Sequence, residues 1–184
     1  MTGRTFTSNC CEHAMLLLEV STIDPGELRR YAEIYRGEAE IFLRDDGKGA
    51  LVLCNGPVAA GNSEAKSVKK LFDGGGFGKS GGDWLFCVAL WTPDDYRDEF
   101  LAWYQTEHLP ILLECPAWDG CRFLEEKVSS GCQFYALHQL SDKKALDSQE
   151  RKRSRSTPWF KRLAKNAWFD GAFQRTLYRR FAQT

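Results

Sequence analysis

Histidine is scarce in this chain, with three in 184 residues. Net charge is absent too, since 25 basic side chains balance 25 acidic ones. Long apolar runs are also missing. The longest falls far below the roughly 20 residues that span a bilayer, and the opening "MTGRTFTSNCCEHAM" has no apolar segment of signal-peptide form. These gaps lead us to expect a cytoplasmic protein without membrane contact. Paired cysteines are lacking as well: there are seven, an odd number, and no spacing repeats. Cys54 in "LVLCN" and Cys87 in "LFCVAL" sit in apolar runs, as small buried hydrophobes do in a reduced compartment. What the chain does have is 43% hydrophobic and 13% aromatic residues. That suffices for a core and excludes a disordered chain. The length suits one domain or two small ones fused.

Charge is unevenly spread. Residues 1–141 carry 13 basic and 21 acidic side chains, and residues 142–184 carry 12 basic and 4 acidic. The two parts can attract each other, or the basic part can meet an anionic partner. The basic run "ERKRSRSTPWFKRLAK" has aromatics interleaved, but no known nucleic-acid motif fits it, so a solvated helix beside an acidic body is expected.

Patterning gives the elements. "AMLLLEV" reads as a strand, and "DPGELRRYAEIYRG" as a helix started by Asp24 and Pro25. "AEIFLRDDGKG" and "ALVLCNG" read as strands around an Asp-Gly turn. "NSEAKSVKKLFDGG" reads as a helix capped by Asn62 or Ser63. "WLFCVALW" is a strand apolar on both faces, and "TPDDYRDEFLAWYQTEH" is a helix with Thr92 as cap, ended by Pro110. "GCRFLEEKV" and "CQFYALHQL" follow as strands, then a helix opened by Ser141, and "QRTLYRRF" as a last strand. The order strand, helix, strand, strand, helix occurs twice, which is the ferredoxin-like order. The expectation is an α+β protein of two ferredoxin-like halves, residues 1–73 and 84–184, joined by a Gly-rich linker at 74–83. Two such sheets can close an α/β barrel with a ligand cavity between them.

"DGGGFGKSGGDW" contains Gly-Lys-Ser but is no phosphate loop. Asp73 stands where the motif needs glycine, and the flanking elements are in the wrong order. The cluster Cys10, Cys11 and His13 lacks a second ligand pair at zinc spacing, so no metal is expected.

The informative stretch is "WYQTEHLPILLECPAW". Tyr96, Phe100, Trp103, Tyr104, Glu107 and His108 fall at helical spacings of three and four. This puts Glu107 and His108 near the buried edge of the helix. A helix C-terminus favours an imidazolium and burial disfavours it, and those opposed terms hold a histidine near neutral pH, where it suits acid–base work. The bland alternative is a histidine satisfied by structure.

"WYQTEHLPILLECPAWDGCRFLE", with "ALW" upstream and "TPWFKRL" downstream, resembles the EthD-like branch of the dimeric α/β-barrel superfamily over residues 84–181. Pro-Ala-Trp stands where Pro-Gly is commoner. The resemblance implies a small-molecule site with His108 facing it as acid/base, and a homodimer or higher homo-oligomer. It implies cofactor-free lyase, isomerase, decarboxylase, cyclase or monooxygenase chemistry, or haem dependence.

Taken together, the expected function is a cofactor-independent lyase or isomerase acting on a compact aromatic or apolar metabolite. His108 would move the proton, and Glu107 and Tyr104 would orient it. Trp91, Trp103, Arg122, Tyr135 and His138 would bind substrate, Arg122 by a two-pronged contact to a carboxylate. The alternatives are a cofactor-free or haem-dependent monooxygenase, and a non-catalytic binding or assembly protein. Fold alone does not choose among them.

Overall fold

The computed structural model describes residues 14–35, 39–55, 65–79 and 81–182. Eight strands form one closed antiparallel barrel: β1 (Ala14–Val20), β2 (Ala39–Arg44), β3 (Ala50–Asn55), β4 (Lys66–Gly75), β5 (Trp84–Thr92), β6 (Trp118–Val128), β7 (Gly131–Leu140) and β8 (Phe173–Arg180). Around the barrel they run β1-β3-β2-β8-β5-β7-β6-β4. Each half keeps the ferredoxin-like neighbour order, β4-β1-β3-β2 in the first and β8-β5-β7-β6 in the second. The β2–β8 and β4–β6 ladders join the halves into the expected α+β barrel within a single chain.

The strands are apolar on both faces because each face meets a packed layer. Inward, every strand contributes to one cluster that includes Leu17, Phe42, Leu53, Val68, Leu85, Cys87, Leu124, Leu137 and Tyr178. Outward, Leu16, Leu18 and Val52 lie under α1 (Pro25–Ile34) through Leu28 and Ala32. Full burial of a side chain such as Leu28 contributes about 1.5–3 kcal/mol. Asp24 caps α1 as expected, its Oδ1 accepting from Glu27 N at 2.9 Å. On the other side Leu90, Phe134 and Ala136 lie under the helices of the second half. The uneven charge is used in part for ion pairs, among them Arg162–Glu99 at 2.8 Å and Arg180–Glu40 at 3.2 Å.

Four expectations about elements need correction. The helix expected from Asn62 is absent where it can be seen: Lys66–Gly75 is strand β4. Pairing with β1 on one edge and β6 on the other satisfies its backbone and overrides a helix-prone sequence. Asn62 and Ser63 lie outside the described residues, as do Cys10, Cys11 and His13. The glycine-rich stretch, in turn, is pinned rather than loose. Gly76 N donates to Asp119 O at 2.7 Å, Gly78 N donates to Gln139 Oε1 at 2.7 Å, and Phe77 is buried.

The third correction concerns the helix before His108. It starts one turn later than a Thr92 cap requires, with a 3-10 turn at Asp94–Tyr96, and α2 covers Arg97–Trp103. Pro110 does not end it. A π-helical turn, Tyr104–His108, carries the chain into α3 (Leu109–Leu112), with Leu109 N bonded to Tyr104 O. The wider turn accommodates a proline that has no N–H to give. Thr106 Oγ1 donates to Ala102 O at 2.7 Å. Later, Ser141 opens no helix. Asp142 caps a 3-10 turn at Lys143–Asp147, Ser148 caps α4 (Gln149–Ser154), and Thr157 caps α5 (Pro158–Leu163).

Cys87, Cys115, Cys121 and Cys132 are buried with free thiols. Among the described residues no helix is long and apolar enough to cross a membrane.

The seam between halves is tight at Gly120, where an added Cβ would come within 2.3 Å of Phe77 N and 2.8 Å of Gly74 O. Backbone atoms cannot move aside cheaply. Gly120→Ala should therefore lower unfolding free energy by about 1–3 kcal/mol in a urea titration. An unchanged midpoint would show that the seam is looser than described.

Candidate active site between sheet and helices

The site grows from the outward face of β5, β6 and β7. On β7, Phe134, Ala136 and His138 face the helices, and their alternates Tyr135 and Leu137 face the barrel interior. His138 is paired across the strands with Phe86 on β5 and Cys121 on β6. Regular alternation from Cys121 would bring Asp119 to the same face. An irregularity between Trp118 and Gly120 pairs Trp118 with Leu140 instead, which turns the indole to the His138 side.

That one-residue shift fixes a chemical state. Trp118 Nε1 donates to His138 Nδ1 at 3.0 Å. An indole N–H can only donate, so Nδ1 must accept and the ring proton sits on Nε2. His138 Nε2 lies 2.7 Å from Tyr104 Oη and therefore donates to it. The Tyr104 hydroxyl proton is then left over. Its other neighbour, Cys121 Sγ, is 4.0 Å away, too far for a strong bond. Burial pushes the Tyr104 phenol well above its usual range and His138 well below. All three groups are uncharged.

His108 closes the other side. The π turn lays its ring 4.5 Å from Trp103 and 5.1 Å from Tyr104, centroid to centroid. Its Nδ1 is 3.4 Å from Ser154 O, a long contact, and Nε2 has no hydrogen-bond partner among the described residues. Some of the ring remains accessible, but protein packs densely round it. That burial takes its pKa down to about 4, with Arg155 and Arg151 adding to the fall. The expected balance near neutral pH fails because the helix does not end at His108, so no helix C-terminus stabilises the cation.

Between these rings lies a cavity of about 390 Å³. Phe86, Val88, Trp103, Tyr104, His108, Trp118, His138 and Phe160 line it, with Arg151, Arg155, Asp170 and Arg175 among its polar groups. It lies on the helix side of the sheet, not between the sheets as expected.

The expected site residues divide. Trp103, Tyr104, His108 and His138 come together on this cavity. Trp91 and Tyr135 do not. They line a separate recess on the barrel-interior face with Glu19, Lys66 and Gln133, and Tyr135 Oη donates to Glu126 Oε2 at 2.8 Å. Arg122 has a structural partner instead of a substrate: it pairs with Asp73 at 2.9 and 3.2 Å and stacks 4.5 Å from the Phe77 ring centroid. Glu107 does not line the cavity either. Its Oε1 accepts from Trp103 Nε1 at 3.2 Å and from Thr157 Oγ1 at 2.6 Å, which ties the indole to the cap of α5. Sequence reasoning missed Trp118 and the three arginines. Trp118 depends on the bulge, which no spacing signals; Arg151 and Arg155 were read as part of one solvated run, and Arg175 as part of the last strand.

No family model matches this chain, and no curated protein does. Solved structures do match. A ferredoxin-fold protein related to antibiotic biosynthesis monooxygenases, from Listeria monocytogenes, is 14% identical over 94% of this chain and 97% of its own, with a TM-score of 0.65. An anthrone oxidase-like protein is 12% identical over 92% of each chain, with a TM-score of 0.64. A haem-degrading enzyme from Listeria monocytogenes is 14% identical over 90% of this chain and 98% of its own, with a TM-score of 0.61. At such identity the likeness establishes the ferredoxin-like barrel. It does not extend to the EthD-like branch.

The buried imidazoles tie stability to pH. His108 titrates near the usual 6.5 when unfolded and at about 4 when folded. Between those values the unfolded chain binds more protons, so stability is lost as pH falls through that window. His138 acts in the same direction. The urea midpoint should drop between pH 6.5 and 4, and His108→Gln should make the drop shallower. Equal slopes in the two proteins would contradict a buried neutral His108.

Proposed function

We propose that the protein is an oxidoreductase of the monooxygenase type, acting on a compact aromatic substrate in the sheet–helix cavity. The observation that carries this is the chain Trp118–His138–Tyr104. It ends at Tyr104, a residue of the cavity wall whose hydroxyl proton no group among the described residues claims strongly, beside the neutral ring of His108. Lyase or isomerase chemistry would use the same proton-handling groups. The oxidative reading is preferred because solved structures of this fold carry oxidase-like and haem-degrading names.

An aromatic substrate with an acidic C–H beside a phenol or carbonyl would give its proton to His108 Nε2. Tyr104 Oη–H donates to the substrate oxygen on which negative charge gathers, while His138 Nε2–H holds Tyr104 in place. A base as weak as His108 suits only a substrate whose anion is stabilised in this way. The electron-rich carbon then reacts with dioxygen. A methylene becomes a carbonyl, one oxygen atom stays in the product, and the other leaves as water with the two hydrogens. The substrate supplies all the electrons, so the step needs no organic cofactor.

His108 supports a second reading with haem. A neutral imidazole with Nδ1 directed at a backbone carbonyl and Nε2 without a partner is the form a metal-binding histidine takes. His108 would hold the iron, and the cavity arginines would face the anionic groups of the macrocycle. Bound haem would supply redox-active iron.

The test is turnover of anthrone-like and other activated phenols under isotopically labelled dioxygen. Wild type should consume oxygen and place one labelled atom in a product that has lost two hydrogens. Tyr104→Phe should lower kcat about 100-fold, the usual loss for one donor to a developing oxyanion. A product formed without oxygen uptake would restore the lyase reading. A Soret band on adding haem, lost in His108→Ala, together with turnover only when haem is present, would establish the second reading over the first.

A further inference from the structure

Four cations of the basic C-terminal part form ion pairs: Lys143 with Asp45, Arg153 with Glu114, Arg162 with Glu99 and Arg180 with Glu40. Arg151, Arg155 and Arg175 form no ion pair among the described residues, yet all three line the same cavity. They reach it from different elements. Arg151 lies on α4, Arg155 follows at the helix end, and Arg175 comes from β8. Arg151 is partly buried, with its guanidinium 5.5 Å from the Phe86 ring centroid and one nitrogen donating to Leu146 O at 2.6 Å. A guanidinium has five N–H donors, so most of its capacity remains unused. The groups also feel one another. Burial, then Arg155 and Arg175, weakens the hold of Arg151 on its proton, and burial, then Arg155, does the same to Arg175. Among the described residues, Asp170 is the only carboxylate on the cavity wall.

Three like charges gathered at a cavity with an aromatic wall repel each other and carry a desolvation cost that the pull of Asp147 on Arg151 offsets only in part. An anion between them would offset both. We propose that the cavity binds an amphiphilic oxyanion, an aromatic body against Phe86, Trp103 and Phe160 with a carboxylate or phosphate held by Arg151, Arg155 and Arg175. This deepens the oxidative reading by giving the substrate a charged end, and it rests on the same cavity being the substrate site. It also reassigns the two-pronged contact expected of Arg122 to residues that have donors to spare.

Calorimetric titration of the wild-type chain with 2-naphthoate, 2-naphthyl phosphate and the neutral 2-naphthamide tests this without any turnover. At least one acid should bind about tenfold or more tighter than the amide, the range of a charge-assisted hydrogen bond. The advantage should shrink as salt rises. The tighter of the two acids identifies the headgroup. Arg151→Gln and Arg175→Gln should each weaken the preferred acid about tenfold while leaving amide binding unchanged. The proposal is overturned if the amide binds as tightly as both acids, if the acid advantage survives in both variants, or if no probe binds. Should a variant not fold, the wild-type acid-to-amide ratio and its salt dependence still decide. Tight acid binding without oxygen uptake would sink the oxidative reading and leave this inference standing.

Discussion

An indole N–H that can donate but not accept determines how this site is wired. Trp118 gives its proton to His138 Nδ1, so His138 must give its own to Tyr104, and Tyr104 keeps a proton for the cavity. Every later statement about chemistry depends on that direction. Were the chain reversed, Tyr104 would donate into the protein and offer the cavity only lone pairs. Burial keeps the arrangement neutral, since His138 and Tyr104 are both shifted away from their charged forms. A neutral, hydrogen-bonded chain inside a packed layer is rigid, which suits a donor that must be in place before charge develops.

The fold makes room for this chain outside the barrel. All eight strands send side chains inward into one packed cluster. The helices of the second half stand off the sheet, and the gap between the two layers becomes the cavity. The π turn at Tyr104–His108 brings both side chains to the same gap while letting the chain pass Pro110. Glu107, though adjacent in sequence, is turned to brace Trp103 and the cap of α5. The contrast between neighbouring Glu107 and His108 is local geometry at work: one residue holds the wall and the next forms part of it.

Much of the fold was legible from the chain alone. Doubled strand–helix order, strands apolar on both faces and the turn at Asp46–Lys48 pointed to two ferredoxin-like halves, and the barrel has both. What pattern could not show was Lys66–Gly75, whose local sequence suits a helix but whose two edges are claimed by β1 and β6. The site was legible where helical spacing speaks, at Trp103, Tyr104 and His108; strand alternation put His138 and Tyr135 on opposite faces without showing which one meets this cavity. It was illegible where placement depends on the third dimension. Arg122 looked like a substrate clamp but meets Asp73 from a distant strand. Trp91 and Tyr135 alternate correctly but face the other side of the sheet. Arg151, Arg155 and Arg175 belong together only once β8 lies beside β5.

The measurement that tests this account most directly is the protonation of His138, read by long-range nitrogen–proton NMR correlations in uniformly labelled protein at neutral pH. The account predicts a neutral ring with its proton on Nε2 and an Nδ1 shift typical of an acceptor. A proton on Nδ1, or a doubly protonated ring, would reverse or break the chain from Trp118 to Tyr104 and remove the donor on which the proposed chemistry depends.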